Sequence, residues 1–167
     1  MFKNWTFKRI LKEIVTTLLI FFVASLIINY LRQPDTFNVL PNETMRTIEK
    51  KDISLEKYKT KPLIVYFWGS WCPACRQQSP NIDVLSKEYQ VLTIAVKSGT
   101  DDEIKAYMSE KKLSFETIND ENGELAKKFG VSIYPTMLIY DSTGTHAFSE
   151  TGYTTVVGAK ARLNMIK

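Results

Sequence analysis

The sequence predicts an α/β domain with a central mixed sheet, set behind a single N-terminal apolar helix. Three observations lead there. Leu63–Trp68, Val91–Val96 and Met137–Tyr140 are short, nearly continuous apolar runs bounded by polar or turn residues, the pattern of strands buried on both faces. Stretches of helical periodicity lie between and after them, and such alternation builds an α/β layer. Ahead of everything, residues 14–31 carry no charge and are mostly Leu, Ile, Val and Phe.

That apolar run is the first element. At helical rise it reaches about 27 Å, enough for a bilayer core. Lys3, Lys8, Arg9 and Lys12 precede it with Glu13 as the one acid, and Arg32 alone follows closely. An excess of bases on one flank puts that flank in the cytoplasm. The expected order is a cytoplasmic tail over 1–13, a transmembrane anchor over 14–31, and everything later outside. A cleaved signal peptide would have a shorter apolar core, and Val23-Ala24-Ser25 matches a cleavage site only loosely. A helix buried in a soluble core would need more chain around it than remains here.

Charge limits the partners. Net charge is +4, but residues 1–13 hold +3 of it, so the basicity is mostly a topology signal. Downstream, Lys50-Lys51, Lys111-Lys112 and Lys127-Lys128 read as solvated faces with no interleaved aromatics. Nucleic acid is disfavoured as a partner.

Residues 32–51 contain Pro34, Asp35, Asn38, Pro41 and Asn42 with little periodicity, and read as a tether. Residues 52–167 then form one domain of ordinary size. After the strand Leu63–Trp68, a helix is marked by Ile82, Leu85 and Tyr89, and another after Val91–Val96 by Ile104, Tyr107 and Met108. Thr100 with Glu103 reads as a capping box for the latter. Leu125, Ala126 and Phe129 mark a further helix, stopped by Gly130. Asp141-Ser142-Thr143-Gly144 joins Met137–Tyr140 to Thr145–Glu150 as a hairpin, and Val156, Ala159, Leu163 and Ile166 give a closing helix.

Chemistry is carried by Cys72-Pro73-Ala74-Cys75, placed between the first strand and its helix. A thiol at a helix N-terminus faces unpaired amides and the positive end of the dipole, which favour the nucleophilic thiolate. Two cysteines are too few for a structural disulfide framework. Zinc would want four ligands where the chain offers Cys72, Cys75 and His146, and covalent haem would need His where Arg76 stands. Two buried, inert thiols are the plain alternative, against which Pro73 puts the pair at an element end. No cofactor is expected. His146 is expected to face solvent rather than serve the pair, and Met108, Met137 and Met165 to sit in the core.

Phe67-Trp68-Gly69-Ser70-Trp71-Cys72-Pro73-Ala74-Cys75, with Pro80 beyond it and Val131-Ser132-Ile133-Tyr134-Pro135-Thr136 downstream, resembles the thioredoxin fold. Within it, the stretch is similar to the membrane-tethered, periplasm-facing suppressor-of-copper-sensitivity D group of TlpA-like protein disulfide oxidoreductases. The resemblance covers roughly Leu55 to Lys167. It implies a thioredoxin fold preceded by one transmembrane helix, a cis Tyr134-Pro135 bond beside the cysteines, and substrate pairing along Tyr134 and Pro135. It also implies that Cys72 exchanges first and Cys75 resolves, with Trp71, Pro73 and Ala74 as neighbours of the redox site. The implied location is the bacterial inner membrane, with the catalytic domain in the periplasm.

Two positions depart from commoner members of the fold. Tyr66 stands where many thioredoxins carry a buried acid, and Gln78 where many cytochrome-maturation relatives have Glu. Neither accepts a proton near neutral pH, so proton transfer to and from Cys75 must use water or another group, for which Glu116 and Glu150 are candidates. Arg76 is either a stabiliser of thiolate charge or an ordinary solvated arginine. Ala74 replaces the His of the strongest oxidants, which points to a reductant of cysteine-containing exported proteins, fed by a membrane-embedded thiol electron carrier. A Cu(I)-binding copper-tolerance module and an apocytochrome c thiol reductant are the competing readings.

Overall fold

Every residue of Leu63–Trp68 is buried, and this strand, β3, is the middle of the sheet. The computed structural model describes residues 7–31 and 37–166, with side chains of the first helix at Arg9 and over 11–24. It divides into two units between Gln33 and Pro34. The first unit contains α1 (Phe7–Leu31). Among the described residues no helix is long and apolar enough to cross a membrane. The expected anchor at 14–31 falls on α1, its side chains beyond residue 24 lying outside the described residues, as do 1–6 of the expected tail and 32–36 of the expected tether.

In the second unit, the described strands form a five-stranded sheet and a small hairpin. The hairpin pairs β1 (Thr44–Arg46) with β2 (Asp52–Ser54), antiparallel. A 3-10 turn over Leu55–Tyr58 leads into β3. Then come α2 (Pro73–Ser86), β4 (Gln90–Val96), α3 (Asp101–Glu110), β5 (Glu116–Asp120), α4 (Glu124–Lys128), β6 (Thr136–Tyr140), β7 (His146–Thr151) and α5 (Val156–Met165). Sheet order is β5-β4-β3-β6-β7, with β3, β4 and β5 parallel and the last two antiparallel to their neighbours.

Alternation along β3 sorts two cores. Ile64, Tyr66 and Trp68 face Cys75, Ile82 and Leu85 of α2, Ile104 and Met108 of α3, and Leu163 of α5. Leu63, Val65 and Phe67 face the hairpin, Ala126 and Phe129. Strands β3 and β4 are mostly apolar on both sides because helices or loops cover both.

The expected tether is corrected from Phe37 onward. Leu40, Met45 and Ile48 are buried, Leu40 donates its amide to Gly144 at 2.7 Å, and Phe37 meets Phe129 edge-on at 5.3 Å. One inward residue per three-residue strand is too sparse a signal to read as structure. Met165 also departs from its expected core position. It is 74% exposed on the last turn of α5, whereas Met108 and Met137 are buried.

The turns follow their residues. Thr100 and Glu103 form the capping box of α3. The Asp141 carboxylate accepts the amides of Thr143 at 2.8 Å and Thr145 at 2.9 Å, shaping the β6–β7 turn, with Gly144 at φ 80°. Gly130, at φ 65°, ends α4 while Val131 donates back to Ala126 at 2.8 Å.

Candidate active site

The β3 strand ends at Trp68, and the chain then turns within a few residues into α2. Gly69 accepts the Cys72 amide at 3.1 Å, and Ser70 donates its amide to Ser98 Oγ at 3.0 Å, which itself bonds the Val96 carbonyl. The end of β4 thereby fixes the loop that carries the pair. Cys72 is the N-cap of α2, with Pro73 at the first helical position, where its missing amide costs nothing.

Cys72 and Cys75 form a disulfide with Cα atoms 5.2 Å apart. The Cys75 amide donates to Cys72 Sγ at 3.2 Å. A thiolate at this sulfur would inherit that bond, together with the dipole of a 14-residue helix. Cys72 is 4% exposed and Cys75 is fully buried, so only the first is open to attack from outside. Pro73 and Ala74 are exposed beside them. Tyr134-Pro135 is cis, and the Pro135 carbonyl accepts the Gly152 amide at 2.8 Å.

Trp71 is half-exposed and anchored. Its Nε1 donates to the Val96 carbonyl at 3.0 Å, and its ring meets Tyr134 edge-on at 5.7 Å. A Cβ on Gly69 would sit 2.6 Å from Trp71 Cε2 and Nε1, so the indole lies directly on that glycine. Trp71 and Tyr134, 63 residues apart in sequence, therefore share one wall. Nothing in the spacing of either foretold this contact, nor the Gly69 seat.

The positions lacking an acid have definite work. Burial pushes the Tyr66 phenol well above its ordinary value, against the lowering effect of a 3.4 Å contact with Ser79 Oγ, so it stays protonated. Gln78 is buried and accepts the Thr154 amide at 2.9 Å, while Asn81 Nδ2 donates to the Thr154 carbonyl at 3.2 Å. These two side chains tie α2 to the β7–α5 connection. Among the described residues neither candidate proton acceptor is hydrogen-bonded to Cys75. Glu116 takes the Tyr58 hydroxyl on the opposite core, and Glu150 pairs with Arg162.

Arg76 is exposed and reaches the Ser70 carbonyl at 3.5 Å. His146 is half-buried, edge-on to Tyr140 and 2.9 Å from Ser149 Oγ; desolvation lowers its pKa, partly offset by the Phe148 backbone. Among the described residues no group of three or more His, Cys, Asp or Glu could hold a metal ion.

A disulfide-forming CxxC at a helix N-terminus, with the adjoining Trp71 against Tyr134 of a cis Tyr134-Pro135 bond and an α/β sheet of this order, defines a thiol-disulfide oxidoreductase of the thioredoxin fold. Comparison with known proteins agrees. Residues 37–147 match the AhpC/TSA family, and the chain belongs to it. A thioredoxin-like protein of Haemophilus influenzae is 35% identical over 158 residues, covering 93% of this chain and 94% of its own length. That match reaches into the apolar helix. The thiol-disulfide oxidoreductase ResA of Bacillus thuringiensis is 32% identical over 108 residues, 62% of each chain. Among solved structures, StoA from Bacillus subtilis superposes with a TM-score of 0.65 at 25% identity, covering 75% of this chain and 98% of that one.

Proposed function

We propose that the chain is a membrane-tethered oxidoreductase that works in the periplasm and reduces disulfides in exported, cysteine-containing proteins. Its electrons come from a thiol carrier embedded in the same inner membrane. The observation that carries this reading is the pair itself: one slightly exposed cysteine at the helix N-terminus, one buried cysteine behind it, and the adjoining Trp71 in contact with Tyr134 of the cis Tyr134-Pro135 bond.

In the reduced protein, Cys72 thiolate attacks a partner disulfide. A Cys72–partner bond forms and the partner's first sulfur leaves with the electron pair, to be protonated by solvent. Cys75, deprotonated, then attacks Cys72 Sγ, closing the intramolecular disulfide and releasing the partner's second thiolate. Two electrons have passed to the partner. Resetting the pair takes two electrons from a dithiol of the membrane carrier by the reverse exchange.

Ala74 supports the reducing direction, because it offers the Cys72 thiolate no cationic or hydrogen-bonding side chain. About 30 mV accompanies each 1.4 kcal/mol of such stabilisation. The tether rests on α1: 25 residues at helical rise extend about 37 Å. Ile14, Leu18, Phe21 and Phe22 on it are more than half exposed. Within the family we place the chain with the membrane-tethered suppressor-of-copper-sensitivity D group, on the CPAC stretch and the preceding apolar run.

The test combines side and redox state. In intact cells, a membrane-impermeant maleimide should label Cys72 after mild reduction, and acid-quenched cells should hold the pair mostly as dithiol. Labelling only after lysis would refute the location, and a pair held fully as disulfide would refute the direction.

A further inference from the structure

Next to the redox pair lies a groove of about 520 Å³, walled by Trp71, Val96, Val131 and Tyr134 and crossed by Lys97 and Lys127. Its lining contains no acid. Both lysines are exposed, and among the described residues neither has an ion-pair or hydrogen-bond partner for its ammonium. The contrast with their neighbours is informative. Lys128 pairs with Glu43, Lys57 with Glu116, Lys87 with Asp83 and Lys160 with Glu88. Lys97 and Lys127 instead line one groove together with Trp71 and Tyr134.

Lys97 is also held in place. It adopts φ 47°, the left-handed region that non-glycine residues rarely enter. Its amide donates to the Asp120 carbonyl at 2.9 Å. Its stem rests on Gly123, where an added Cβ would come within 2.9 Å of Lys97 Cε. The Asp120 carboxylate is turned inward, accepting the Leu125 and Ala126 amides at 3.0 and 2.8 Å.

We propose that this groove selects partner segments carrying Asp or Glu close to the reactive cysteine, with Lys97 and Lys127 reading the charge. It rests on the exchange reaction proposed above. The partner's cysteine meets Cys72 while its flanking chain lies across Trp71 and Tyr134, and its acid reaches the two ammonium groups. Two such exposed pairs together change binding about three- to tenfold, and salt screens them.

The test uses the reduced full-length protein and three cysteine peptides identical except for Asp, Asn or Lys flanks, each activated as a 2-pyridyl disulfide. Cys72 thiolate attacks the peptide sulfur, a Cys72–peptide disulfide forms, and uncharged pyridine-2-thione leaves and is followed by absorbance. At low salt the half-saturating concentration is expected to rise from the Asp to the Asn to the Lys peptide, about three- to tenfold at the first step. Salt should collapse the difference, and K97Q or K127Q should each shrink it about two- to threefold. Equal half-saturation for all three peptides at low salt would overturn the groove's role. Thione release from none of them would overturn the exchange reaction itself.

Discussion

Replacing Gly69 with Ala tests whether the wall beside the pair is as tightly seated as the structure has it. The new Cβ would lie 2.6 Å from two indole atoms of Trp71, where ordinary contact begins near 3.4 Å. The loop cannot easily yield, because the Gly69 carbonyl holds the Cys72 amide at the N-cap of α2. The indole must therefore retreat, weakening its bond to Val96 and its edge contact with Tyr134. Each is worth about 0.5–1 kcal/mol at a half-exposed site, or about 1–2 kcal/mol together. Thermal melting should fall by about 3–8 °C in a unit of this size. The half-saturating concentration of a peptidyl pyridyl disulfide should rise about three- to tenfold, with little change in the maximal rate of thione release. In a Trp71→Ala background the same substitution should cost much less, since the clash is gone. Wild-type melting and half-saturation in Gly69→Ala, or an equal cost in the Trp71→Ala background, would refute the reasoning.

Gln78→Leu leaves the Thr154 amide without its acceptor inside the unit and should lower stability by about 1–3 kcal/mol, measured by denaturant unfolding. At Asp83, burial alone would raise the carboxyl. The Ser114 amide and hydroxyl, at 2.5 and 2.9 Å, and Lys87, at 3.2 Å, outweigh it and hold the group below the usual carboxylate range. A depressed carboxyl contributes fully above its unfolded pKa of about 4, and the contribution drains away as pH falls through the folded value. Melting should therefore drop between pH 5 and about pH 3 in the wild type, and drop less in Asp83→Asn, which should already be less stable at pH 7. Parallel curves would contradict this.

What could be read from residues alone depended on how each element buries its side chains. Strand β3 is apolar at all six positions and was legible, as were β4 and β6 beside it. The β5 strand was not. Of Glu116, Thr117, Ile118, Asn119 and Asp120 only Ile118 is apolar, and the buried Thr117 and Asp120 bond to Thr93 Oγ1 at 2.9 Å and to the α4 amides. Such bonds leave no hydrophobic period. The β1–β2 hairpin hid for the same reason, with Met45 and Ile53 as the one inward residue of each strand. At the site, Cys72 and Cys75 were visible through a local motif, and the cis Tyr134-Pro135 bond through the resemblance to the thioredoxin fold. The roles of Gly69, Ser98 and Gln78 were not, because each acts through a partner at least 28 residues away or by having no side chain.

The central claim is that Cys72 exchanges disulfides with other proteins and Cys75 resolves the product. Cells expressing full-length Cys75→Ala, quenched with acid and alkylated, test it most directly, because the mixed disulfide at Cys72 then has no internal resolving thiol. Adducts of higher mass are expected that collapse on reduction, disappear in the Cys72→Ala, Cys75→Ala double variant, and contain cysteine-bearing exported proteins. Absence of any adduct, with the wild-type pair never changing oxidation state, would contradict it.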